Sequence, residues 1–84
     1  MDEGVFAAVR RFPERQQAIE ALAGRNEDFR SLCVDLADAE TALAGWQAST
    51  AAVREARCAE YRSLVEDLGR EVEAALRAGR HDDQ

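Results

Sequence analysis

The stretch NEDFRSLCVDLADAETALAGW, residues 26 to 46, places Phe29, Leu32, Leu36, Ala39, Leu43 and Trp46 at alternating steps of three and four. That spacing aligns side chains along one stripe of an α-helix and does not fit the period of two of a half-buried strand. Such a seam has to be covered, because an amphipathic helix takes most of its stability from the surface it packs on. The segment that covers it decides the fold.

The C-terminal half supplies one candidate. Ala51, Cys58, Tyr61, Val65, Leu68, Val72 and Ala75 repeat at the same alternation, with Arg54 alone breaking the set. Two long helices joined by a few residues run antiparallel, so segment 51–78 is expected to zip against segment 26–48. Asn26 is placed to cap the first of them, with Glu27 and Asp28 at the positive end of its dipole, giving a helix over about 27 to 47. QASTAA reads as the turn, with Ser49 or Thr50 capping the next helix and Glu55 close to capping-box range. Gly79 is expected to end that helix after Ala78, leaving 79–84 as a frayed tail.

Ahead of this hairpin, Val5, Phe6, Val9 and Phe12 fall at helical spacing over about residues 3 to 12, with Asp2 as cap. Pro13 biases Phe12 away from helical geometry and suits the first position of a second short helix, running to Ala23 with Ile19 and Leu22 on one face. Gly24 is expected as its left-handed C-terminal cap. The predicted fold is therefore all-α: one domain over 1–84, a long antiparallel hairpin with short N-terminal helices, within 1–25, packed against it.

A second stripe on the long helix, Val34, Ala37, Thr41, Ala44 and Ala48, carries mostly small side chains that let another helix approach closely. Its occupant is either the N-terminal helices folded back, giving a three-helix monomer, or a partner subunit. A lone hairpin exposes half of every seam residue, and cores of this size seldom stabilise a fold by more than ~3–5 kcal/mol. Self-association is accordingly expected, through Phe6, Phe12 and the stripe at Val34, Ala37 and Ala44. Trp46 reads as a core plug near the turn or as the aromatic anchor of such an interface. A protein partner meeting the same apolar helix faces is the alternative.

Eighty-four residues make one small domain. Its formal charge is −6; every basic side chain is Arg, and 17 residues are Ala, a usage that favours helix and points to GC-rich coding of a bacterial kind. Charge is uneven: segment 1–25 balances, 26–49 carries five acids and one Arg, and 50–78 carries five Arg and six acids. The acidic long helix beside an arginine-bearing one suits their pairing, and at ~0–1 kcal/mol per exposed pair charge selects orientation more than it adds stability. No segment reaches the ~20 apolar residues of a membrane span. The acidic start MDEGVF lacks the basic opening of a signal peptide, so a cytoplasmic protein is the expectation.

The same residues argue against chemistry. Cys33 and Cys58 are the only thiols and His81 is the only imidazole, too few for a structural zinc site. With a turn near residue 49, Cys33 would lie beside residue 65 and Cys58 beside residue 40, too far apart for an intrachain disulfide. No Ser–His or Cys–His pair can be assembled, no glycine-rich phosphate loop exists, and Asp35, Asp38 and Glu40 read as solvated carboxylates. Arg10, Arg11 and Arg15 in VRRFPER do not make a basic face on a chain of pI near 4.7, so nucleic acid is not an expected partner. No cofactor and no small-molecule substrate is evident. A non-enzymatic interaction module is the expected function, with a heterotypic adaptor or a small regulatory subunit of an enzyme complex as the rival.

From Phe12 to Leu76 the chain resembles the YdcH-like family of small bacterial helical-hairpin proteins of unknown function. The pattern is carried by Phe12-Pro13-Glu14, by Ile19 and Leu22, by Asn26 ahead of Phe29 and Leu32, and by Leu68, Glu71, Val72 and Leu76. The chain departs from that family in its additional N-terminal helix and in Arg70, where the family often has an acid. The resemblance implies a helical hairpin and no activity.

Overall fold

The computed structural model describes residues 2–82, with side chains as far as Gly79. Among the described residues it contains four α-helices, a 3-10 turn and no strand: α1 (Glu3–Arg11), the 3-10 turn (Pro13–Arg15), α2 (Gln16–Arg25), α3 (Glu27–Gln47) and α4 (Arg54–Asp82).

Local chemistry sets most of these boundaries. The Asp2 carboxylate accepts a hydrogen bond from the Val5 amide at 2.9 Å and opens α1. Phe12, at φ −129° and ψ 66°, is not helical, as a residue before proline disfavours the helical region. Asn26 is extended and serves as a one-residue joint, closing α2 and capping α3 through the Phe29 amide at 3.0 Å. Across the second turn, Ser49 Oγ accepts from the Ala51 amide at 3.0 Å. The Arg54 guanidinium donates twice, at 3.0 and 2.9 Å, to the Gln47 carbonyl, so a cation on the first residue of α4 caps the negative end of α3.

α3 and α4 lie side by side and antiparallel, Asp35, Ala39 and Ala42 facing Tyr61, Leu64 and Leu68 across one shared groove. α1 runs along α3 in the same direction. Asp2 pairs with Arg30 at 2.8 Å, Gly4 meets the backbone at Cys33 and Val34, and Arg10 reaches Glu40 at 3.3 Å, each contact advancing together along both helices. α2 then closes the base, with Leu22 against Gly79 and Arg15 beside Leu76. Ile19, Cys33, Leu36 and Val72 are wholly buried where these elements meet, joined by Val5, Ala8, Phe29, Val65 and Leu76.

Three local expectations are corrected. Gly24 is not a left-handed cap, since no described residue has a positive φ, and Gly79 does not end its helix. α2 continues to Arg25, because Asn26 makes the reversal by itself, and α4 passes through Gly79 to Asp82, where the missing side chain lets the Leu22 methyls pack against the helix. Part of the expected tail is thus helical, and residues 83–84 lie outside those described, as does the His81 side chain. Finally, α4 starts at Arg54 instead of 51, because Ser49 closes a turn of its own with Ala51. The turn is centred later than residue 49, which sets Cys33 opposite a stretch past Leu68 and moves the two thiols farther apart.

Candidate interaction surface

The bundle measures 51 × 22 × 21 Å, and its length exceeds what the N-terminal helices cover. α1 has nine residues and meets α3 as far along as Glu40, paired with Arg10, and Thr41, which shares a hollow with Phe6 and Arg10. Beyond that point α3 and α4 continue as a two-helix finger ending in the 48–53 turn. Burial follows this division for the large seam residues, though not for every one. Cys33, Leu36 and Val72 at the base have no exposure, with Leu32 and Ala75 half-buried beside them, whereas Leu43, Trp46 and Tyr61 on the finger are half-buried around a buried Cys58.

The stripe of small residues on α3 is divided in the same way. Val34 is covered on its backbone side by Gly4, and Ala37 is half-buried beside Phe6 and Arg10. α1 therefore runs along one edge of its first half and leaves the Val34 side chain 41% exposed. Ala44 and Ala48, about two and three turns beyond Ala37, are exposed.

The residues read from sequence as one contact do not form one surface. Phe12 packs against the core and flanks a hollow with Arg11, Glu66 and Gly69 on the α4 side. Phe6 is 52% exposed on the α3 side, with the Arg10 guanidinium 5.0 Å above its ring. Trp46 and Ala44 belong to the finger.

Sequence reasoning missed Leu64, which is 42% exposed and lines a groove of about 380 Å³ with Tyr61, Leu68, Ala39, Ala42 and the carboxylates of Asp35 and Asp38. Its signal was present: a large apolar residue outside the heptad positions of α4 has no seam to enter. Asp38 also lines a second hollow of about 380 Å³, with Phe6, Arg10, Ala37 and Thr41. The outer face of α3 is thus flanked by exposed Phe6 on one side and exposed Leu64 on the other, with Val34, 41% exposed, one turn before Asp38.

Five acids elsewhere are held in ion pairs. Asp2 pairs with Arg30, Glu40 with Arg10, Glu60 with Arg57, Asp67 with Arg70 and Glu73 with Arg77. The Val5 amide and the Arg30 guanidinium hold the Asp2 carboxyl below its ordinary value. Neither Asp35 nor Asp38 has a hydrogen bond or ion pair within the described chain. Cys33 and Cys58 are free, buried thiols. Burial, with the negative charge of Asp2 second, pushes the Cys33 thiol up to about 11, so it is protonated and unreactive near neutrality. Among the described residues no three His, Cys, Asp or Glu side chains converge as a metal set would, and no helix is long and apolar enough to cross a membrane.

No protein-family model, no curated protein and no solved structure matches the chain. The likeness to the YdcH-like hairpins stands on Phe12, Pro13, Glu14, Phe29, Leu32 and their companions alone.

Proposed function

We propose that this chain is a non-enzymatic helical interaction module that self-associates through its two-helix finger. The observation behind this reading is the change in burial of the large seam residues: Leu36 is fully buried, while Leu43, Trp46 and Tyr61, nearer the turn, are only half-buried. A two-helix stretch keeps apolar surface wet on both flanks, and a second finger laid against it converts it to a four-helix arrangement with two-fold symmetry. Ala44 and Ala48 continue the track that α1 borders at Val34 and Ala37, and their small side chains admit a close approach.

Light scattering coupled to size-exclusion chromatography, over about a hundredfold range of concentration, tests the reading by mass action. The expected result is a mass that rises toward twice the chain mass and falls back in Trp46→Ser and Ala44→Glu. A single-chain mass throughout would remove self-association. The rival reading, a heterotypic adaptor or a regulatory subunit of an enzyme complex, is favoured by the unpaired carboxylates on the outer face of α3, away from the finger.

A further inference from the structure

We infer that the outer face of α3 is a docking site for a basic amphipathic helix of another protein, apolar side chains entering beside Leu64 and Phe6 and arginine or lysine side chains meeting Asp35 and Asp38. This goes beyond self-association and is centred on a different part of the molecule, which meets the finger only at the Tyr61 edge of the groove.

The apolar part of the argument is one of placement. Three large hydrophobic side chains, Phe6, Val34 and Leu64, remain 41–52% exposed around this one helix. Monomeric proteins scatter exposed apolar residues singly, and a group of them rimmed by polar residues marks a contact site. The two hollows beside them, about 380 Å³ each, meet at Asp38 and give the face the relief that side chains at three- and four-residue spacing can enter.

The charge points to the occupant. Asp35 and Asp38, which border the Leu64 groove, are exposed and have no arginine of their own, as is true of eight other described acids, and they lie in segment 26–49, which carries five acids and one Arg. A ligand without cations would cover these carboxylates and leave them without a partner, which is unfavourable for a charge removed from water. A second copy meeting this face by two-fold symmetry would bring both copies' Asp35 and Asp38 together, so repulsion opposes it. A helix with cationic flanks satisfies the apolar surface and the carboxylates at once.

The test uses the full chain and a synthetic helical peptide of about 15 residues, four turns, with leucines at three–four spacing flanked by arginines. Comparison peptides replace the arginines by glutamates or scramble the order. Binding is read by fluorescence anisotropy and by amide shifts of the isotope-labelled protein. The expected result is saturable binding by the arginine peptide, at least ~10-fold tighter than by either comparison, with shifts concentrated at Phe6, Val34, Asp38 and Leu64. Leu64→Ser and the paired change Asp35→Asn with Asp38→Asn each weaken it by ~10-fold or more. All three positions are exposed, and an unchanged circular dichroism melt confirms that the variants fold. Equal binding of the scrambled peptide, shifts centred on Trp46 and Ala44, or no saturable binding would overturn the inference. So would shifts at Leu64 and Phe6 that follow protein concentration without peptide, since the occupant would then be a second copy.

Discussion

Gly4 of α1 lies against the backbone of Val34 in α3: a Cβ added at Gly4 would stand 2.7 Å from the Val34 amide nitrogen and 2.9 Å from its Cα. The neighbour is main chain in mid-helix and cannot swing aside, so a larger residue must lift α1 from α3. With Ala7 and Ala8 also fully buried, α1 makes its contact almost entirely through small residues, and Val5 is its one larger buried side chain.

Gly4→Ala is therefore expected to destabilise the fold by about 1–3 kcal/mol, the usual range for overpacking. Gly24→Ala should act in the opposite direction. A Cβ at Gly24 meets nothing within 4 Å and the residue is helical, so the substitution recovers up to ~1 kcal/mol of helix propensity. Thermal melts of the two variants check this. In a domain of this size each kcal/mol moves the midpoint by roughly 4–8 °C, and the two shifts should have opposite signs.

Acid should weaken the attachment of α1. The Asp2 carboxyl is held below the ordinary 3.8, first by the Val5 amide and then by Arg30. A depressed folded value means that the contribution is present above the unfolded value and is lost as pH falls through the folded one. Asp2→Asn keeps a capping oxygen and removes the charge. Its urea midpoint should lie below that of the parent at pH 7, and the gap should narrow as pH falls below 3.8.

Alkali should act through Cys33. Its thiol is raised from 9.0 to about 11, so above pH 9 the unfolded chain releases a proton that the folded chain keeps. Stability attributable to this group is complete below pH 9 and declines up to about pH 11. Cys33→Ala should flatten that decline in a pH series of denaturant midpoints, while lowering stability at pH 7 through lost packing.

The parts of this structure that could be read from sequence are those written in single residues or in a period. Asp2, Pro13 and Asn26 act within a turn of themselves, so their geometry follows from their own side chains. The seam from Phe29 to Trp46 announces a helix and its buried face together. The direction and reach of α1 were not legible in the same way. They depend on Gly4 meeting Val34 and on Arg10 meeting Glu40, contacts between residues 30 apart whose local patterns carry no trace of each other. The two caps assigned to glycine failed for a related reason. A glycine after a helical run is either a stop or a place where something packs close, and only the position of Leu22 shows that Gly79 is the second. The outer face of α3 is half visible in the sequence: Asp35 and Asp38 have the pattern of solvated carboxylates, and Leu64 lies off the seam, where the period gives it no partner.

Arg54 interrupts the heptad of α4 and is explained by its two hydrogen bonds to the Gln47 carbonyl. The site is exposed, so Arg54→Ala is expected to lower stability by only ~0.5–1.5 kcal/mol. The loss should be local. Amide hydrogen exchange should accelerate in the last turn of α3 and the first of α4, with protection at Leu36 and Val72 unchanged. Arg54→Lys should restore part of the effect, since an ammonium keeps the charge at the helix end but not the paired donors.

The phase of the α3 seam is open to a direct test at Leu36, which has no exposure and lies in the same apolar cluster as Phe29, Cys33, Val65 and Val72. Leu36→Ala should cost about 2–5 kcal/mol, a large share of what a domain this small possesses. Leu36→Asp should leave no cooperative melt, because the carboxylate would be enclosed with no donor or cation among the cluster residues. The same aspartate placed at Thr41, exposed on the outer flank of α3, should change stability by no more than ~0.5 kcal/mol. Circular dichroism melts of the three variants decide the matter. An unchanged melt for Leu36→Asp, or unfolding by Thr41→Asp, would mean that the helix presents a different face to its neighbours.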